Sequence, residues 1–142
     1  MPKINKTSLV QHSAESMYEL VKNIEDYPQF LPWCEDSSYL TLDAGSIIAT
    51  VNVVFKGIPF AYTTINFNDP SSKITMKLSK GPFKTMYGYW EFIKIDKNSC
   101  KINFFLEYSF SNFIIEKTTG YVFSEISQSL MDSFIKQADK IE

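Results

Sequence analysis

The sequence predicts an α+β fold: a curved antiparallel sheet of about six to seven strands wrapped around one long C-terminal helix, with two short helices after the first strand. Two observations carry this prediction. Several segments between Ile47 and Phe110 place apolar residues at alternate positions, the period of strands with one buried face. Beyond Ile115 the spacing becomes helical. Val122, Ile126, Leu130, Phe134 and Ala138 share one side of a helix, reinforced by Phe123, Met131, Ile135 and Ile141. Sheet and helix each carry one apolar face, and packing them together buries both while leaving room for a cavity.

The elements follow in order. Ile4 to Val10 mixes β-branched and polar residues as a short strand ending near His12. Ser13 then fits a helix N-cap, with Glu15 well placed against the helix dipole, and Met17, Leu20, Val21 and Ile24 give the short helix its buried side. Pro28 can open at most one further helical turn before Pro32 ends it, so Tyr27 to Cys34 forms an apolar elbow. Ile47, Ala49, Val51, Val53 and Phe55 face one way in the next strand, which turns at Gly57-Ile58-Pro59 into Phe60 to Asn68. Past the turn residues Asn68 to Ser72, Ile74, Met76 and Leu78 alternate with outward Thr75, Lys77 and Ser79. Gly81-Pro82 leads into a strand whose inner face is Met86, Gly88, Trp90 and Phe92, with Gly88 leaving space beside Trp90. A hairpin at Asp96 to Ser99 returns through Cys100, Ile102, Phe104, Leu106, Tyr108 and Phe110. A helix from near Ile115 to Ile141 would be about 40 Å long, enough to cross the sheet.

The 142 residues fit a single domain, 1–142, and 44% hydrophobic with 21% charged residues supports a packed core. No apolar run reaches the length of a membrane span, and Met1 to Lys6 lacks the apolar centre of a secretory signal, which predicts a cytoplasmic protein. Cys34 and Cys100 lack zinc-site spacing and read as two buried thiols, although spacing alone leaves a disulfide open. Aromatic residues make up 15% of the chain, more than a core of this size strictly needs; they either fill the interior or wall a cavity for a flat or greasy ligand.

The net charge of −2 lacks the positive field of a general nucleic-acid binder. Its distribution is uneven. Residues 1–72 hold four lysines against eight acids and residues 102–142 three against six, whereas Lys73 to Lys101 hold seven against two, a net +5. Lys73, Lys77, Lys80, Lys84, Lys94, Lys97 and Lys101 read as solvated strand surface, or as a patch for phosphates of RNA or of anionic lipid heads, the latter a peripheral membrane contact. Lys77, Lys94 and Lys101 are the candidates for an anionic partner. Without any arginine the patch lacks bidentate phosphate or guanine contacts.

Ser13-Ala14-Glu15-Ser16-Met17-Tyr18, the elbow Tyr27-Pro28-Gln29-Phe30-Leu31-Pro32-Trp33-Cys34, Gly81-Pro82-Phe83-Lys84 and Gly88-Tyr89-Trp90-Glu91-Phe92 together resemble the coenzyme Q-binding START-like family. Its RatA-type branch of bacterial ribosome-association toxins is the most similar, and the resemblance spans essentially the whole chain. It implies a helix-grip fold, START/Bet v1-like, whose hydrophobic tunnel holds ubiquinone or a related isoprenoid lipid in support of respiration. For the RatA-type branch it implies binding to the large ribosomal subunit and a block on subunit association. On this resemblance and on strand parity, Phe55, Tyr62, Met76, Met86, Trp90, Phe104, Phe123, Ile126 and Leu130 are expected to line the tunnel. Tyr62, Thr64 and Asn66 are expected to offer hydrogen bonds to a quinone carbonyl. Tyr27, Phe30, Leu31 and Trp33 are expected to form a lid that closes the tunnel or docks a partner. Their alternative role is a tucked loop.

Catalysis is not expected. His12, the only histidine, reads as a surface imidazole without a neighbouring nucleophile, and Glu91 and Glu107 fall on outward strand positions. The sequence reading is thus a monomeric, non-enzymatic binder of a quinone or lipid, with no metal or catalytic cofactor; the alternative is the ribosome factor.

Overall fold

The computed structural model describes residues 2–141; Met1 and Glu142, the ends of the expected domain, lie outside the described residues. One seven-stranded sheet runs through the chain: β1 (Lys3–Val10), β2 (Cys34–Asp43), β3 (Ser46–Phe55), β4 (Ile58–Asp69), β5 (Lys73–Lys80), β6 (Phe83–Asp96) and β7 (Ser99–Phe110). Its order is β1-β7-β6-β5-β4-β3-β2, and every neighbouring pair is antiparallel. The first strand therefore closes the sheet beside the last. Helix α1 (Ala14–Lys22) and a 3₁₀ turn (Ile24–Gln29) fill the connection from β1 to β2, and α2 (Phe113–Lys117) and α3 (Thr119–Ile141) follow β7.

Local chemistry sets these boundaries. The Ser13 hydroxyl accepts the Ser16 N–H at 3.1 Å and starts α1 as its sequence predicts. The turn between β3 and β4 lies at Lys56-Gly57, one position before the one expected. Both residues have positive φ, 51° and 78°, and Phe55 pairs directly with Ile58, the geometry of a two-residue hairpin whose twist matches its strands. Gly88 answers a different need from the one expected. It faces Leu106 across the ladder, and a Cβ there would stand 2.6 Å from the Phe105 carbonyl oxygen, so its missing side chain admits β7.

The C-terminal helix is divided. Asn112 caps α2 by accepting the Ile115 N–H, and the Thr118 hydroxyl then donates back to the Ile114 carbonyl, a bond that competes with the helical ladder. α3 buries Val122, Phe123, Ile126, Ser127, Met131, Phe134 and Ala138, while Leu130 is half-buried and Ile141, beyond the last packed turn, is exposed. Strand β2 carries no clean alternation because it is an edge strand whose Tyr39, Leu40 and Leu42 face solvent. The first strand is tied to α3 at two points: Lys6 Nζ donates to the Gln128 carbonyl at 2.6 Å, and His12 Nε2 lies 2.6 Å from an Asp139 carboxylate oxygen. The His12 side chain is only 10% exposed, so it is a tether between strand and helix and not the surface imidazole expected. Cys34 and Cys100 are both buried and free.

Candidate functional site

Strand parity places Tyr62, Thr64 and Asn66 at alternate inner positions of β4, facing the α3 residues Phe123, Ile126, Ser127 and Leu130 across a cavity of about 60 Å³. Met76 of β5, Met86 and Trp90 of β6, and Phe104 of β7 complete much of its wall. Eight of the nine residues expected to line a tunnel thus share one space. Phe55 does not. It lies at the end of β3, half-buried with Lys56 Nζ 5.5 Å from its ring centroid. The volume is the larger correction, since about 60 Å³ holds a few waters whereas a site for a drug-sized ligand takes roughly 300–1,000 Å³. In this conformation the expected tunnel is a small chamber.

Rings account for the narrowing. Near one end of α3, Phe134 meets Tyr27, Phe30 and Trp90 edge-on at 5.4, 5.6 and 5.4 Å, and Trp90 stacks on Phe104 at 4.1 Å. Near the other, Phe123 packs edge-on against Phe83 at 4.8 Å, Tyr108 at 4.9 Å and Tyr62 at 5.8 Å. These offset arrangements are the favourable ones for aromatic pairs. The two clusters stand roughly 16 Å apart along the helix, and the chamber lies between them. Most of the aromatic excess is therefore packed core.

The elbow closes one end of this space. Tyr27 and Trp33 line the chamber, but Phe30 and Leu31 do not: Phe30 packs on Tyr27 and Phe134, and Leu31 is fully buried in the core. With Tyr27, Leu31 and Trp33 all buried, these side chains are a tucked plug and offer no open face to a protein partner. The Tyr27 hydroxyl donates to the Val21 carbonyl at 2.5 Å, locking the elbow to α1.

Polar groups gather on one side of the chamber. Thr64 Oγ1 donates to Asn66 Oδ1 at 2.7 Å, leaving the Asn66 amide N–H donors and the Tyr62 hydroxyl without a hydrogen-bond partner among the described residues. The fully buried Ser127 hydroxyl across from them also lacks one. Sequence reasoning missed Ser127 because a serine does not mark an apolar stripe, although its position four residues from both Phe123 and Met131 places it on that face. Burial holds the Tyr27 and Tyr62 hydroxyls well above the ordinary tyrosine range, so both remain protonated donors at neutral pH. Among the described residues, none that lines the chamber brings a carboxylate, imidazole, amine or thiol to it. Glu91 and Glu107 lie on the outer face, where Glu91 accepts from Asn103 and Glu107 pairs with Lys3 at 3.4 Å.

The three lysines expected to meet an anionic partner do not form one patch. Lys77 and Lys101 point outward, but Lys77 pairs with Tyr87 and Lys101 with Ile93, six residues farther along β6, about 20 Å away. Lys94 has inner-face parity and is exposed only because it lies near the strand end.

Residues 10–135 match the family of polyketide cyclases/dehydrases and lipid transport proteins. The chain belongs to this family. Within this START-like family, the ribosome association toxin RatA of Escherichia coli K12 is 39% identical over 141 residues, covering 99% of this chain and 89% of RatA. The mitochondrial coenzyme Q-binding protein COQ10 homolog B of Xenopus laevis is 23% identical, over 96% of this chain and 58% of that protein. The crystal structure of the Zhui aromatase/cyclase from Streptomyces sp. R1128 superposes with a TM-score of 0.82 at 15% identity, covering 98% of this chain and 94% of that one. That likeness fixes the helix-grip fold and no more. Among the described residues, no helix is long and apolar enough to cross a membrane.

Proposed function

We propose that this chain is a non-enzymatic ribosome-association factor of the RatA kind, which binds the large subunit in the cytoplasm and hinders its joining to the small one. The observation that carries this reading is the 39% identity, sustained over 141 residues, to a protein named for ribosome association, against 23% for the coenzyme Q-binding relative. The non-enzymatic part is supported by the same relatives, a ribosome association toxin and a coenzyme Q-binding protein, neither of them named for a catalysed reaction. The test is sedimentation of purified small and large subunits under associating conditions, with and without the protein in excess. Loss of the joined-ribosome peak is expected, and an unchanged profile would overturn the reading.

One observation favours a second reading of the chamber. Uncommitted donors on Tyr62, Asn66 and Ser127 within a mostly apolar wall suit a hydrophobic molecule with a carbonyl head, a quinone or similar isoprenoid lipid, once the wall moves apart to admit it. Native mass spectrometry after incubation with ubiquinone tests this. The expected result is a stoichiometric adduct that Leu130→Arg abolishes in a folded protein; a clean ligand-free mass for the parent protein removes the quinone.

A further inference from the structure

We propose that the outer face of the central strands is a stacking platform for unpaired bases of RNA, built from Phe67, Tyr87, Tyr89 and Phe105 with Lys73 and Lys77. The inference rests on the ribosome reading and gives its contact a chemistry. These side chains come together through the ladder register. Phe67 of β4 pairs with Thr75 of β5, Thr75 with Tyr89 of β6, and Tyr89 with Phe105 of β7, so one row crosses four strands, and Tyr87 occupies the next row on β6. Tyr89 stacks on Phe105 at 5.4 Å, and Tyr87 lies 6.4 Å from each of them. All four rings point away from the core, since their strand neighbours Met86, Trp90, Phe104 and Leu106 fill it, and Tyr87 and Phe67 are 40% and 44% exposed.

The cations sit on the rings. Lys73 Nζ lies 4.6 Å from the Tyr89 centroid and Lys77 Nζ 5.6 Å from that of Phe67. Such a contact is weak at an exposed site, whereas a base stacked on an aromatic ring gains more. A base that takes the ring face therefore releases an ammonium group to the adjoining phosphate. Two of the nearby acids are occupied: Lys3 pairs with Glu107 at 3.4 Å, and Glu91 accepts from Asn103. Flat rings interleaved with cations suit the stacked bases and phosphates of a single strand better than the apolar anchors of a protein, and the four-stranded aromatic face is a geometry that reads single-stranded RNA. The lack of arginine removes bidentate guanine contacts, so binding should tolerate sequence and depend on salt.

The test uses fluorescence anisotropy of a short labelled oligouridylate, at low and physiological salt, with the full chain and with Tyr87→Ala, Tyr87→Phe, Lys73→Glu/Lys77→Glu and the distant control Lys94→Glu. The parent protein should bind the single strand better than an RNA duplex. Tyr87→Ala should weaken it about tenfold, Tyr87→Phe should keep it, and the double lysine variant should weaken it about tenfold with a shallower salt dependence, while Lys94→Glu changes little. Circular dichroism and the thermal midpoint verify that each variant folds; the surface lysine pair keeps the test valid if Tyr87→Ala does not. No binding by the parent protein, or affinity unmoved in folded Tyr87→Ala or in the lysine variant, overturns the proposal. A parent protein that blocks subunit joining without binding the oligonucleotide leaves the ribosome reading intact and points to a protein contact. Binding without any effect on subunits retains the platform and removes the ribosome.

Discussion

Ser127 concentrates the tension between stability and use inside this protein. Its hydroxyl is fully buried and unpartnered, a condition that costs about 1–3 kcal/mol, so Ser127→Ala should raise the urea midpoint by an amount equivalent to about 1 kcal/mol. A loss of that size would mean that water in the chamber satisfies the hydroxyl. Burial also sets the alkaline limit. It lifts the Cys100 thiol from 9.0 to about 11 and holds Tyr27, Tyr62 and Tyr108 above 10.0, in each case favouring the protonated form in the folded state. Their contributions are whole below about pH 9 and are lost as pH rises through the unfolded values toward the folded ones. The thermal midpoint should therefore hold from about pH 7 to 9 and fall above it, with Cys100 unreactive to a thiol reagent until the protein unfolds. A midpoint that climbs above pH 9 would contradict this assignment. The inward positions of Tyr62, Thr64 and Asn66 were expected from the family resemblance, since Ile65 and Phe67 make the opposite parity of that strand just as apolar. Ser127 was not, because its burial follows from a helical position that its polarity conceals.

At the scale of elements, close approach matters more than pattern. Gly88→Ala drives a Cβ to 2.6 Å from the Phe105 backbone oxygen, which no flexible side chain can relieve, so the β6–β7 pair must part. A destabilisation of about 1–3 kcal/mol is expected by chemical denaturation; a neutral result would show that the strands slide at little cost. Strands β3 and β5 to β7 and helix α1 could be read from period and caps because each has one buried face, and β4 from the turns on either side of it. Strand β2 escaped because only its ladder with β3, and not burial of alternate residues, makes it a strand. The break at Thr118 escaped for a related reason: the four-residue repeat begins only at Val122, so it sets no boundary before that point, and the back-bond to Ile114 reveals the division. Phe55 has the right parity but lies where the strand has run past the chamber, a limit that periodicity does not express.

Across the whole molecule, two faces of one sheet carry two chemistries. Inside, aromatic clusters around Phe123 and Phe134 fill most of the grip and leave a chamber of about 60 Å³ with a polar strip. Outside, aromatic rings and lysines meet solvent on the same strands. Alternation makes this pairing possible, because β4 to β6 each send every second side chain to each face. The net acidic charge of the chain concealed the outer face, since the segment Lys73 to Lys101 is basic only locally and its useful lysines are those that register brings onto rings. The most direct test of the ribosome reading is co-sedimentation of the purified protein with isolated large subunits at physiological salt. The account predicts that the protein travels with the large subunit at about one copy each and is absent from the small-subunit fraction. Protein that stays at the top of the gradient, with subunits intact, would contradict it.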